Sequence, residues 1–178
     1  AVNSAKQAYE FGVLKNMKMC VPYLPAYMLE EVGPEIMEGV YGTMVFWWTL
    51  AEQNEMARNF VEAYEEKFGA KPRDPEHNAF MTMLLWADAI ERAGTFYPPA
   101  VVEALEDSIN HKRPYTTGGE VYFRAEDHDG AAAFAIVRGK KPSEIQNKDD
   151  LVDVVAIADG VETLPPVGYA GCSMDPAV

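Results

Sequence analysis

The sequence predicts an α/β fold with a mainly parallel sheet and flanking helices. Strand-like segments alternate with helical segments along the 178 residues, and this alternation is typical of sheets whose crossover helices cover both faces. Residues 39–47 are uncharged and rich in β-branched and aromatic side chains, which favours a strand buried on both faces. The composition, 48% hydrophobic and 24% charged, is that of an ordinary globular domain.

In the first third of the chain, glycine and proline mark the ends of short elements. Gly12 closes a helical pattern, and Pro25 precedes the next one, as expected for a C-cap and an N-terminal turn. The predicted elements are a helix over residues 3–13, a strand over 18–21, a helix over 26–31 and the strand over 39–47.

The middle of the chain has helical periodicity, and three helices are predicted over residues 51–68, 77–93 and 98–109. Gly69 and Gly94 end the first two, and Pro98 begins the third. Apolar side chains cover nearly the whole circumference of the second helix, so we expect it to be buried on most sides.

The last part of the chain is strand-like, with strands predicted over residues 120–123, 131–138 and 151–157. Residues 164–178 have neither helical nor strand-like periodicity of apolar residues. A doubly wound domain normally begins with a strand, whereas this chain begins with a helix, so we expect the order of elements to be that of the second half of a fold.

Charge and motifs exclude several function classes. The formal net charge is -13, which disfavours nucleic acid as a partner. The longest apolar stretch is too short for a bilayer helix. The start shows no signal peptide, so we expect either that one was removed or that the natural start lies elsewhere. GxSxG, P-loop, HExxH and GxGxxG motifs are absent, so we predict neither an enzyme nor a cofactor.

Two cysteines, Cys20 and Cys172, are too few and too far apart for a zinc ribbon or a CxxC redox site. They could form a disulfide in an oxidising compartment or remain two unpaired thiols. The sequence leaves both open.

Four consecutive polar residues could in principle hold a divalent metal: Glu126, Asp127, His128 and Asp129. Neighbouring side chains point in different directions, so the four do not converge on one ion without further ligands. We therefore favour a solvated turn in which His128 is hydrogen-bonded to the next segment.

Aromatic residues are concentrated in the first half of the chain. Trp47 and Trp48 are neighbours on the predicted strand, so their rings face opposite sides, and at least one should reach solvent, a cleft or an interface. Tyrosine and tryptophan commonly line pockets for small organic ligands, while packing in the core is the alternative.

Several sequence segments resemble, in their order and spacing along the chain, the second half of the type I periplasmic solute-binding proteins of ABC transporters. The resemblance is to the branched-chain amino acid and amide or urea receptor group. The segments are AKQAYEFG, KMCV, LEEVGPEIMEGVYGT, NFVEAYEEKFGAKP, AFMTMLLWADAIERAG, TTGGEVYFRAEDHDG and AAAFAIVRGK. The chain departs from the family pattern where Tyr-Asp-Ala often begins the buried helix, because Phe80-Met81-Thr82 stands there.

The resemblance implies two α/β lobes joined by crossing hinge strands, with the first-half elements on the same or a separate chain. It divides this sequence into the end of the second lobe (1–38), a hinge strand (39–50), first-lobe helices (51–119), strands that recross the hinge (120–139) and a C-terminal segment on the second lobe (140–178). Cys20 and Cys172 would both lie on the second lobe, where the resemblance makes a disulfide plausible.

The resemblance also implies a non-enzymatic function in the periplasm. A small solute binds between the lobes, the hinge closes, and a membrane permease receives the solute. Strand-to-helix loops line such clefts, which implies ligand-binding roles for Tyr23, Trp47, Trp48 and Phe80. Tyr23 stands at or beside the position where amino acid receptors place a carboxylate for the ligand ammonium, so an amide, a urea or an organic acid is favoured over a free amino acid.

Two other functions compete with this reading. The chain could be an accessory or structural subunit that uses a receptor-derived fold for protein contacts. It could also be an α/β enzyme that uses Asp127 and His128.

Overall fold

The computed structural model describes residues 2–171 and 174, and its fold is mixed α/β, as predicted. The helices are α1 (Val2–Glu10), α2 (Ala26–Val32), α3 (Pro34–Met37), α4 (Glu55–Phe68), α5 (Asp74–Ala93), α6 (Pro98–Glu106) and α7 (Gly160–Thr163). The strands are β1 (Cys20–Val21), β2 (Tyr41–Met44), β3 (Arg113–Pro114), β4 (Glu120–Phe123), β5 (Gly130–Ala131), β6 (Phe134–Gly139) and β7 (Val152–Ala158). None of the helices in these residues is both long and apolar enough to cross a bilayer.

The strands form a four-stranded sheet in the order β1-β2-β6-β7 and a three-stranded sheet in the order β3-β4-β5. The prediction of mainly parallel pairing is wrong for the described residues, because β1 and β2 pair in parallel and the other neighbours are antiparallel. The parallel pair is connected through α2 and α3, whereas β6 and β7 follow each other without a crossover helix, so the chain must reverse.

Element boundaries differ from the predictions where local capping overrides periodicity. The helix predicted from residue 51 begins at Glu55, because Trp48–Glu52 is a 3-10 turn. The Asn54 side chain then accepts hydrogen bonds from the Met56 and Ala57 amides and caps α4. The strand predicted over 131–138 is divided between β5 and β6.

The buried apolar residues form three separate clusters. The first cluster lies between the four-stranded sheet and α1 to α3, and includes Leu24, Met28, Val40, Trp47 and Val137. The second joins Phe46 and Leu50 to α4, and the third joins Met81 of α5 to Tyr115, Val121 and Ala133. Consecutive residues Phe46 and Trp47 therefore enter different cores, and Trp48 packs against both the first and the second.

The expectation that α5 is buried on most sides is wrong for the described residues. Its buried stripe includes His77, Met81 and Ala89, while Met83, Leu84 and Trp86 are exposed. The described elements pack against one side of α5 and leave its other apolar side in contact with solvent.

Candidate functional site

The candidate site is a buried polar cluster where β2 leaves the sheet. The ladder between β2 and β6 ends at Met44, which pairs with Ala135. Beyond it, the Phe46 amide donates to Asp74 Oδ1 at 3.1 Å, and the Val45 carbonyl accepts from the Thr117 hydroxyl. Side chains thus take the place of a neighbouring strand, because buried backbone groups require hydrogen-bond partners.

Asp74, the first residue of α5, is 1% exposed. Burial raises the pKa of its carboxyl from 3.8 to about 6, although hydrogen bonds from the Phe46 and Val45 amides lower the pKa and thus oppose this rise. The negative charge of Glu76 raises the pKa further. The carboxylate is therefore a buried charge that titrates close to neutral pH.

His77 lies one helical turn further along α5 and is 0% exposed. Its ring is stacked on Phe46, with centroids 4.7 Å apart and the planes within 1° of parallel, and its Nε2 is hydrogen-bonded to the Thr116 hydroxyl. Burial lowers the pKa of His77 from 6.5 to about 4. The imidazole is therefore neutral at pH 7.

Two tyrosines lie close enough to this cluster for the charge of Asp74 to shift their pKa values. Burial, and then the negative charge of Asp74, raise the pKa of Tyr115 to about 12. The same two causes, in the same order, raise the pKa of Tyr23, which is 49% exposed. Tyr23 is thus a partly exposed predicted site residue on which the charge of the buried Asp74 acts.

Trp47 and Trp48 adjoin the cluster but have different surroundings. Trp47 is 2% exposed, and its indole Nε1 is buried without a hydrogen-bond partner among the described residues. The Nε1 of Trp48 donates to the Asp149 carbonyl at 2.8 Å, and Lys71 Nζ lies 4.7 Å from the centre of its ring.

Phe80, the fourth predicted residue, lies in an apolar groove between α4 and α5. Its ring is stacked on Phe60, with centroids 4.6 Å apart, and Phe60 in turn contacts His77 edge-on at 6.2 Å. The groove has a volume of about 300 Å³, and its aromatic lining residues are Phe60, Tyr64, Phe68 and Phe80. Phe80 is therefore linked to the buried cluster through Phe60 and does not face Tyr23 directly.

The structure shows a turn at the polar run 126–129. Arg124 forms an ion pair with Asp127, and Asp127 Oδ1 accepts from the Asp129 amide at 3.2 Å. His128 Nε2 lies 2.7 Å from Glu106 of α6. Across the described part of the chain, no three acidic, histidine or cysteine side chains are grouped so as to hold a metal ion.

Cys20 is exposed at the start of β1. Cys172 lies outside the described residues. A disulfide between them stays a prediction.

Sequence reasoning missed the core of the site, which consists of Asp74, His77, Tyr115, Thr116 and Thr117. The signals were an Asp-Pro pair at a helix start and the phrase TTGG before a strand. Both are common capping and turn signals, so neither indicates that the two segments meet.

Comparison with known families decides the class of the protein. The family model described as periplasmic binding protein matches residues 1–144. The chain belongs to this family. A search of curated protein sequences gave no match.

Solved structures of periplasmic binding proteins share the fold. An amino acid ABC transporter substrate-binding protein from Pseudomonas fluorescens Pf-5 is 25% identical, with a TM-score of 0.82 over 97% of this chain and 44% of that protein. A branched chain amino acid ABC transporter periplasmic ligand-binding protein from Burkholderia xenovorans LB400 is 23% identical, with a TM-score of 0.81 over 98% of this chain and 45% of that protein. The chain therefore spans less than half the length of these proteins.

Proposed function

We propose that this periplasmic binding protein chain is part of a solute receptor of an ABC transporter. The receptor captures a small solute in a cleft between two lobes, closes about a hinge, and delivers the solute to a membrane permease from the periplasm. It makes and breaks no covalent bond. Membership of the family, with separate cores that meet at Phe46 and Trp47, is the observation that carries this proposal.

The separate cores support the lobe assignment that the resemblance implies. Residues 1–38 and 140–178 belong to the second lobe in this proposal, and their Leu29 and Val152 pack in the first cluster. Residues 51–119 belong to the first lobe, and their Phe60 and Met81 pack in the other two clusters. Residues 39–50 and 120–139 are the proposed hinge crossings.

We place the solute beside Tyr23 and the end of β2, with the partly exposed Trp48 as a further wall residue. Trp47 is buried in the first cluster and Phe80 lines the α4–α5 groove, so in this proposal both act on the solute through the residues they pack against. Tyr23 is exposed. The charge of Asp74 acts on the phenol of Tyr23 and on the phenol of Tyr115. No cationic side chain is among the causes that shift the Asp74 pKa. A phenol at this position, in place of a carboxylate, favours a solute without an ammonium group, such as an amide, a urea or an organic acid, over an amino acid.

The groove between α4 and α5 supports a further partner, namely the first-half elements of the receptor. Phe68 and Met83 are exposed on these helices, and exposed apolar patches of this kind usually mark contact surfaces. We propose that a sheet supplied by the first half, on the same or a separate chain, covers this groove.

Isothermal titration calorimetry on the full-length protein that contains this chain tests the receptor function. The probes are acetamide, urea, benzoate and L-leucine. We expect one of the first three to bind in the micromolar range, about -8 kcal/mol, and Tyr23→Ala to weaken it at least tenfold. Y169A, which removes another exposed tyrosine, is the matched control and should leave affinity unchanged.

Two results would contradict the proposal. Tight binding of L-leucine alone would overturn the proposal that the solute lacks an ammonium group. A folded protein that binds none of the probes but purifies with a stable protein partner would favour the accessory-subunit function instead.

A further inference from the structure

The backbone that follows β2 is held by two side chains from distant parts of the sequence. Asp74 accepts from the Phe46 amide, and Thr117 donates to the Val45 carbonyl. The next residues, Trp47 and Trp48, carry the chain from one core to the other. Their placement therefore depends on how firmly Phe46 is anchored.

We propose that Asp74 is a positioning residue for solute binding: its ionised carboxylate anchors the Phe46 amide and so fixes Trp47 and Trp48, and acidification weakens both the anchor and solute binding. The inference deepens the proposed receptor function and rests on it. Asp74 itself is buried and does not contact the solute in this proposal.

The charged form of Asp74 is stabilised by hydrogen bonds from backbone amides, and the titratable side chains around it do not add to this stabilisation. The charge of Asp74 acts on Tyr23 in the β1–α2 connection and on Tyr115 in the segment before β4. On α5, His77 is neutral at pH 7 and Glu76 is an acid whose charge raises the pKa of Asp74. The guanidinium of the preceding Arg73 donates from its NH1 to Glu30 at 3.1 Å and is not among the causes that shift the Asp74 pKa.

These surroundings explain why the pKa of Asp74 lies in a pH range in which the protein can be titrated. The amides of Phe46 and Val45 stabilise the carboxylate, but burial outweighs them and raises its pKa to about 6. Hydrogen bonds to charged groups are stronger than those to neutral ones. Protonation of Asp74 therefore weakens the bond from the Phe46 amide without removing any atom.

The anchor is measurable by NMR without any ligand. Val45–Phe46 is the one Val-Phe step in the 178 residues, so labelling with ¹³C′-valine and ¹⁵N-phenylalanine selects its peptide group, and loss of the signal in V45I assigns it. We expect the Phe46 amide proton shift to titrate with a midpoint near pH 6 and D74N to abolish the titration.

Asp88 supplies the matched control, because it is another buried carboxylate of α5, paired with Arg92 and Arg113. D88N should keep the Phe46 titration, and a retained backbone amide spectrum shows that each variant is folded. The proposal is overturned if the wild-type Phe46 signal has no transition between pH 5 and 7, or if D74N retains it.

The effect on binding is measured with whichever of the four probe solutes binds at pH 7.5. Wild-type affinity should fall about fivefold between pH 7.5 and 5, as expected for a weakened charge-assisted hydrogen bond. D74N should bind with the same reduced affinity at both values. An equal pH dependence in wild type and D74N would overturn the positioning role. If no probe binds at pH 7.5, the receptor function fails, and the Phe46 titration alone decides whether Asp74 anchors the backbone.

Discussion

Asp74 and His77 lie one turn apart on α5, and burial shifts their pKa values in opposite directions. The folded state raises the pKa of Asp74 from 3.8 to about 6, so this group lowers stability as pH rises through that range. The folded state lowers the pKa of His77 from 6.5 to about 4, so this group raises stability as pH rises from about 4 to 6.5. The two contributions oppose each other in the wild-type protein.

Removing one of the pair should expose the pH dependence of the other. In D74N, the free energy of unfolding should increase by up to about 3 kcal/mol between pH 4 and 6.5, because the contribution of His77 is no longer opposed by that of Asp74. In H77Q, it should decrease between pH 4 and 6. Urea denaturation at several pH values measures both slopes, and parallel curves for the two variants would show that the groups do not titrate as described.

At the scale of elements, strand β6 passes very close to the end of α3. A Cβ atom added at Gly139 would overlap the carbonyl oxygen of Met37. The Gly139 amide also donates to the Val40 carbonyl at 2.9 Å, so the backbone cannot move aside without losing that bond. Glycine is required here by the approach of two backbones.

Gly139→Ala should therefore destabilise the protein by about 1–3 kcal/mol, which is typical of overpacking in a rigid core. Gly130→Ala is the matched control, because the nearest atom to its added Cβ is 3.6 Å away on the Phe123 side chain. Thermal unfolding should show a lowered midpoint for G139A and a small change for G130A. Equal midpoints would mean that α3 shifts freely away from β6.

The helices could be predicted from sequence because their signals are local. Asn54 begins α4 and Gly94 ends α5 by contacts within a few residues. Strand pairing and the buried cluster could not be predicted, because they depend on which distant segments meet. The bond from the Phe46 amide to Asp74 joins positions 28 apart in the sequence, and no spacing rule encodes it.

At the scale of the whole molecule, ion pairs join elements that pack in different apolar clusters. Arg73, at the start of α5, binds Glu30 of α2 at 2.5 Å and lies 3.8 Å from Asp149. In the proposed lobe assignment these contacts cross from the first lobe to the second. They therefore favour the arrangement of the lobes seen here.

Arg73→Gln should broaden the distribution of distances between the two cores. Spin labels at S4C on α1 and E66C on α4 report that distance by pulsed electron–electron double resonance. All labelled proteins have Cys20 and Cys172 replaced. The exposed pair contributes about 1 kcal/mol at most, so we expect a population shift of about fivefold or less. R138Q, which breaks a pair between adjacent strands of one sheet, should leave the distribution as in wild type, and an unchanged distribution in R73Q would contradict the crossing role.

Trp48 packs against both cores, and its indole bonds to Asp149. Any rotation of one lobe against the other changes the solvent and the charges around this ring, including Lys71 above it. We therefore expect closure to shift the fluorescence emission of Trp48, and a variant with Trp47→Phe and Trp86→Phe isolates this signal from the other two tryptophans.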